Sequence, residues 1–495
     1  MNEPQPMPAP APKLAPVTSD ERLDVMDILR GFALIGILVM NIEWFNRAIW
    51  GLHSFDMTLT GGDHAAGWLV RWLVEGKFYK LFSLLFGMGF AVMLLRAEKA
   101  GRPFKAWFFR RMVVLFLIGI LHYIFIFTGD ILNAYAAGGV VLLLWLMLFR
   151  TKKLERRNTP GFFGRFALTM LLIPLLGTGA VAVFDGLTRD GASYEEVWAE
   201  QQEVAALVEA QLALPPPAED EAEAMEDSTG DTVAAADDAA DESADESETA
   251  EDEDSVAAQV EEWVDWERKK ESTTAEEFAA LAEGTYAEAT AWRWKQLPQE
   301  LATVPFFAIL ILLPVFLIGY WLIASGILPN HRQHPSFFRW LTGVGFLVGL
   351  PISAYGLVLA QQPVFEIVDA IGMISFILSV LGEYLVCGGY LGAIVWLSMT
   401  KRGARVLSAL APMGRMALTN YIGQTLILSI IFYGYGFGLY GQVGRADQML
   451  VCLAILVFQG VFSALWLKVF RFGPLEWVWR SLTYMSWQPM RLTRA

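Results

Sequence analysis

The chain has 495 residues, is 55% hydrophobic and has a mean hydropathy of +0.41, more apolar than an average soluble domain. Its formal charge of −15 misleads, because residues 219–254 hold 18 Asp and Glu and no Lys or Arg, and the rest of the chain is net positive. Only Cys387 and Cys452 are present, which excludes a disulfide framework, and no basic domain of the kind that grips nucleic acid is visible.

The opening "MNEPQPMPAPAPKLAPVTSDERLD" is polar and Pro-rich. It lacks the apolar core of a cleavable signal peptide, so the first apolar segment is expected to stay as a membrane helix. Ten apolar runs follow, at 28–48, 78–95, 112–129, 131–149, 161–184, 302–325, 338–360, 367–396, 417–434 and 448–468. Each is long enough to cross a bilayer core of roughly 30 Å. A soluble protein would have to bury many long helices that are apolar all round. The expected fold is therefore all-α: a polytopic membrane helix bundle of about ten transmembrane helices, with a large periplasmic insertion.

Loop charge gives the orientation. Arg96, Lys99, Arg102, Lys105, Arg110 and Arg111 lie between the second and third spans, and "RTKKLERR" (150–157) follows the fourth. Lys401, Arg402, Arg405 and the tail residues Arg471, Arg480, Arg491 and Arg494 complete the set. With ten spans, all fall on the side of the N-terminus, and the positive-inside rule makes that side cytoplasmic. The expected organisation is a disordered cytoplasmic tail (1–20), a five-helix membrane half (21–184), a periplasmic insertion (185–301), a second membrane half (302–485) and a short tail (486–495). Within the insertion, 214–255 has the composition of a disordered tract. Residues 256–296 read as amphipathic helix, with Trp263, Trp266, Trp292 and Trp294 suited to an interface or a lid.

The chemistry-bearing residues come in groups. In the first span, Asp24, Asp27 and Arg30 share a face at the cytoplasmic mouth, where a paired helix start is as good a reading as a ligand site. Asn41 and Glu43 lie deeper, on different faces. His53, Asp56, Asp63 and His64 follow in a loop, spaced too loosely for a metal site. Lys77 and Lys80 are expected to snorkel at the outer interface, and Gly87 and Gly89 to allow close helix packing. The hairpin "LHYIFIFTGDILNAYA" (121–136) holds His122 inside a span and Asp130 at the outer turn. If the helix runs on to 129, about 12 Å of rise separates them, and each would meet groups from other spans. Asp130 has a bland role as an N-cap, whereas an intramembrane histidine reads as functional. Farther on, Arg415 sits at the cytoplasmic mouth, and Asn420 and Gln424 share a face, suited to interhelical hydrogen bonding.

The stretches Leu29-Arg30-Gly31-Phe32-Ala33, "FSLLFGMGF" (82–90), "LH" followed by "GDIL" and Tyr135, "GRMALTNY" (414–421) and "GPLEWVWR" (473–480) occur together. In combination they resemble the YeiB-like family of bacterial inner-membrane proteins. Residues 290–485 resemble the domain of unknown function 418 that defines the family. The resemblance implies a multi-pass protein of the bacterial inner membrane with both termini cytoplasmic. A wider likeness is to transmembrane acyltransferases. One branch has an Arg followed eleven positions later by a His on its first helix; here Arg30 is followed at that spacing by Asn41. The lysosomal branch has Asn there and a catalytic His shortly after, a place His53 would fill.

Three functions remain open. An acyltransferase would move an acyl group from cytosolic acyl-CoA, as co-substrate rather than bound cofactor, to a periplasmic or lipid-linked acceptor. His122 or His53 would be the base, Asp130 or Glu43 its orienter and Asn41 an oxyanion donor, with Arg30 and Arg415 receiving CoA phosphates. A transporter would use the same buried groups as a relay, although no inverted repeat is visible. A structural or regulatory membrane protein would need them only for helix packing.

Overall fold

The computed structural model describes residues 23–52, 56, 58–149, 160–188, 194–214, 244–360 and 370–492; His53 lies outside them. Among the described residues the regular structure is helical, apart from one isolated bridge between Phe470 and Arg491. Nine helical stretches there are long and apolar enough to cross a membrane. The expected span at 417–434 is a shorter apolar helix, Ala417–Phe432. The chain is a polytopic membrane helix bundle.

The described residues fall into two compact units, one within 1–183, 278–362 and 369–495, the other within 184–277. In the smaller unit, Tyr194–Leu212 and Ala244–Phe278 pack through Val204, Val208, Val260 and Val264. The larger unit holds the bundle. Its helices used below are α1 (Asp24–Asn46), α2 (Gly61–Leu73), α3 (Lys77–Lys99), α4 (Lys105–Phe125) and α5 (Leu132–Phe149).

The span expected at 78–95 is α3, and α2 leads into it through a sharp break. Gly76 makes the break with φ +75°, a conformation other residues avoid. The last carbonyls of α2 find side-chain donors: Lys77 Nζ bonds the Arg71 oxygen at 3.0 Å and the Tyr390 hydroxyl bonds the Leu73 oxygen at 2.8 Å.

The helix beyond the insertion also differs from expectation. It runs from α6 (Tyr286–Phe306) through a π-helical turn (Phe307–Leu312) into α7 (Leu313–Ala324), beginning well before residue 302. Pro305 and Pro314 flank the π turn, and each removes a backbone donor from the regular ladder. Trp292, on α6, packs in the core, whereas Trp294 is exposed.

Glycines set the closest helix contacts. A Cβ at Gly87 on α3 would overlap the Phe316 carbonyl on α7, and one at Gly319 would overlap that of Leu84. Gly89 meets only an Arg30 nitrogen at 3.7 Å, so of the two expected contact glycines Gly87 carries the packing. In the same way α1 docks on α8 (Ala411–Arg415), where Gly31 lies against Leu410 and Gly414 against Asp27. The tenth apolar helix is α9 (Ala417–Phe432), followed by α10 (Arg445–Trp466) and α11 (Pro474–Tyr484).

Candidate functional site

α4 ends at Phe125, four residues short of the expected span, and this shortening builds the site. The chain turns back through 126–131, with a glycine at 129 where a Cβ would overlap the Phe127 ring. Asp130 therefore returns to His122. His122 Nδ1 lies 2.8 Å from Asp130 Oδ1, which corrects the expectation that the two stay apart. Nε2 lies 2.7 Å from the Thr425 hydroxyl on α9.

The Asp130 carboxylate is divided between two tasks. Oδ2 accepts from the backbone N–H groups of Leu132 at 3.1 Å and Asn133 at 3.4 Å, capping the first turn of α5. Oδ1 serves His122 and receives the Tyr421 hydroxyl at 3.4 Å. A carboxylate on Nδ1 favours the tautomer with the proton there, leaving Nε2 to accept from Thr425. His122, Asp130, Asn133 and Thr425 are all buried. Asn133 is unusual among them, since neither its amide nitrogen nor its oxygen has a hydrogen-bond partner. Its oxygen is close to Gly119, where a Cβ would overlap it. Glu300, on α6, lies within electrostatic reach of Asp130.

The other expected site residues are placed elsewhere. Asn41 is buried on α1. Glu43 pairs with Arg445 on α10 and, at 3.6 Å, with Arg47. Both arginines and Glu43 line a cavity of about 300 Å³ together with Asn46, Asp56 and Gln448. The Thr58 hydroxyl in particular holds the Asp56 carboxyl below the usual carboxylate range. Asp63 accepts from the Ala446 N–H at 2.8 Å, which makes it a cap for α10. Phe45, next in the chain to the cavity-lining Asn46, stacks on Phe127 at 4.4 Å, and Phe127 lies 6.1 Å from the imidazole.

Arg30 bonds Asp27 at 2.8 Å, the internally paired helix start. It also lies within electrostatic reach of Arg111, whose guanidinium sits 3.5 Å over the Trp479 ring. Arg415 ends α8, the helix docked on the Asp27–Gly31 stretch. Asn420 and Gln424 bond Ser463 and Gln459 on α10, at 3.0 and 2.9 Å, in the interhelical role expected.

Three features were not singled out from the sequence. Thr425 follows Gln424 directly in the sequence and has no signature of its own. Glu383, midway along the helix Ala370–Ser398, forms an ion pair with the buried Lys80, which does not snorkel as expected. A lone acid in the middle of an apolar run was the available signal. Glu476 on α11 is buried and accepts from the N–H groups of Leu418 at 2.7 Å and Thr419 at 3.1 Å. It thus caps α9 and ties together the two motifs "GRMALTNY" and "GPLEWVWR".

Residues 322–486 match the family model described as "Protein of unknown function (DUF418)". Over those residues the chain is similar to this family. It is similar over nearly its whole length to uncharacterised relatives. One is "Uncharacterized protein YxaH" of Bacillus subtilis (strain 168), 28% identical over 96% of this chain and 98% of the relative. Another is "Uncharacterized protein YeiB" of Escherichia coli (strain K12), 25% identical over 95% of this chain and 98% of the relative. The chain is thus a multi-pass membrane protein with bacterial homologues. The family model spans α9 and α11, and so covers Thr425, Tyr421 and Glu476, but the His122–Asp130 turn lies outside it.

Proposed function

We propose that this protein is a membrane-embedded acyltransferase of the bacterial inner membrane. Its termini are cytoplasmic, and it transfers from cytosolic acyl-CoA to a hydroxyl or amine acceptor at the other face. The carrying observation is the buried His122, held between the Asp130 carboxylate and the Thr425 hydroxyl. That order of carboxylate, imidazole and hydroxyl is the arrangement that activates an oxygen nucleophile. Thr425 Oγ1 attacks the thioester carbonyl while His122 Nε2 takes its proton, and CoA leaves as the thiol when the imidazolium returns that proton. The acyl-threonine is then attacked by the acceptor, whose proton passes through His122 back to Thr425. Asn133, beside Asp130 and with an unsatisfied buried amide, is the donor assigned to the developing oxyanion.

Placement supports two-sided access. Arg30 and Glu43 lie thirteen residues apart on α1, about 20 Å along the axis. The arginines around Arg30 suit CoA phosphates at one end, and the polar cavity at Glu43 suits the acceptor at the other. A covalent relay lets the two substrates be served in turn.

The test is release of free thiol from acetyl-CoA and palmitoyl-CoA by purified protein, with peptide mass analysis of Thr425. Wild type should give thiol release and an acylated Thr425 peptide. Thr425→Ala should give neither, and His122→Asn should slow release by about 10²–10⁴-fold. Absence of thiol release from wild type with both donors would sink the reading.

A further inference from the structure

Arg293 is fully buried on α6, and its Nε, Nη1 and Nη2 atoms all lack a hydrogen-bond partner. A guanidinium keeps its charge at any working pH and carries five donors in a fixed fork. Buried cations are retained where they are paired, or where they serve a ligand. The Tyr433 ring lies 5.2 Å from the Arg293 guanidinium carbon and gives it a π face. A ring face attracts the charge but leaves the in-plane donors unused.

The surroundings suit entry of a ligand. Arg293 follows Trp292, which shares one core cluster with Leu281, Phe45, Phe127 and Tyr433. A π-helical turn at Ala279–Glu283 and the loop "YGYGFGLYG" (433–441) meet there, through a Gly434 N–H bond to the Leu281 oxygen at 2.9 Å. Gly438 and Gly441 have φ of +66° and +72°, left-handed backbone states that glycine adopts without strain. Such π turns are frequent at functional sites. Arg293 is also within electrostatic reach of Tyr123, the residue after His122.

We propose that Arg293 is the anchor of an oxyanion-binding site, which takes a phosphate or carboxylate group entering beneath the 433–441 loop. The planar fork fits such a group with two parallel hydrogen bonds, and the burial makes each of them strong. The oxyanion comes either from a soluble solute or from an anionic lipid headgroup. The assignment goes beyond acyl transfer and does not depend on it, because binding at Arg293 needs no chemistry at His122.

The experiment measures apparent Tm of the purified full chain. One arm adds sodium phosphate against sodium chloride at matched ionic strength. The other compares nanodiscs of phosphatidylglycerol with nanodiscs of phosphatidylcholine. A rise with phosphate identifies a soluble oxyanion, and a rise with phosphatidylglycerol alone identifies a headgroup; either supports the site if Arg293→Met abolishes it. Without anion, Arg293→Met should melt no lower than wild type, since an uncompensated charge has been removed. Arg293→Lys keeps the charge but loses the fork, and should weaken the response by about tenfold in anion affinity. His122→Asn should keep the full response, which separates this site from the catalytic reading. The proposal is overturned if no anion raises the wild-type Tm, or if Arg293→Met keeps the rise. It is equally overturned if Arg293→Met melts far below wild type without anion, because the charge would then already be satisfied within the fold.

Discussion

Asp130 holds one oxygen on His122 and the other on the start of α5, and these tasks can be separated by substitution. Asp130→Asn retains an oxygen for capping but removes the carboxylate that fixes the imidazole tautomer. It should lower thiol release by about 10²–10⁴-fold with little change in Tm. Asp130→Ala should lose the same activity and also about 1 kcal/mol of stability, the usual worth of a cap. Equal Tm losses in the two variants would mean that capping is not what Oδ2 does. The sequence contained both residues and both of their roles. It hid their contact, because that depends on α4 stopping at Phe125 instead of continuing through an equally apolar "IFT". Hydropathy locates a span, but not the residue at which it stops. Arg293 was hidden for a related reason: in a segment read as extramembrane, an arginine attracts no attention.

At the scale of the element, Glu476 joins two helices that are far apart in the chain. Its carboxylate takes the free N–H groups at the start of α9 and the Thr419 hydroxyl, which bonds it at 2.5 Å. Burial pushes its pKa above the ordinary value of 4.5, although these hydrogen bonds pull the other way. The protonated form is therefore favoured by folding. The contribution to stability is fully present below the unfolded value and is lost as pH rises through the folded one. Wild-type Tm should accordingly fall relative to Glu476→Gln as pH is raised from about 4 toward neutrality. A Tm difference that does not change with pH would refute the burial argument. This link explains why two short motifs near the C-terminus occur together, something a reading of each motif alone cannot supply. Apart from the helix that begins at Tyr286, the apolar runs themselves were legible to within several residues. The α2–α3 break was not, because Gly76 is one glycine among many until Glu383 is placed against it.

Across the whole bundle, Lys80 in the first turn of α3 and Glu383 midway along the helix Ala370–Ser398 join the first half of the chain to the second. Lys80 also faces the rings of Tyr79 and Tyr384, at 5.0 and 4.6 Å. Tyr135 stands beside this cluster, bonded to Ser83 at 2.8 Å and to the Tyr79 carbonyl at 2.9 Å. Removing one member of a buried pair strands the other charge in a medium that solvates it poorly. Lys80→Met alone and Glu383→Leu alone should each cost about 3–5 kcal/mol, whereas the double variant should recover most of that loss. The recovery distinguishes a pair that only joins helices from one that carries protons. A joining pair can be replaced by two apolar side chains with function intact. A relay cannot, so a double variant that regains its Tm but not its activity would assign Lys80 and Glu383 to the mechanism. Tm and thiol release measured on the same three variants decide between these outcomes. Losses that simply add in the double variant would show that the two side chains do not depend on each other at all.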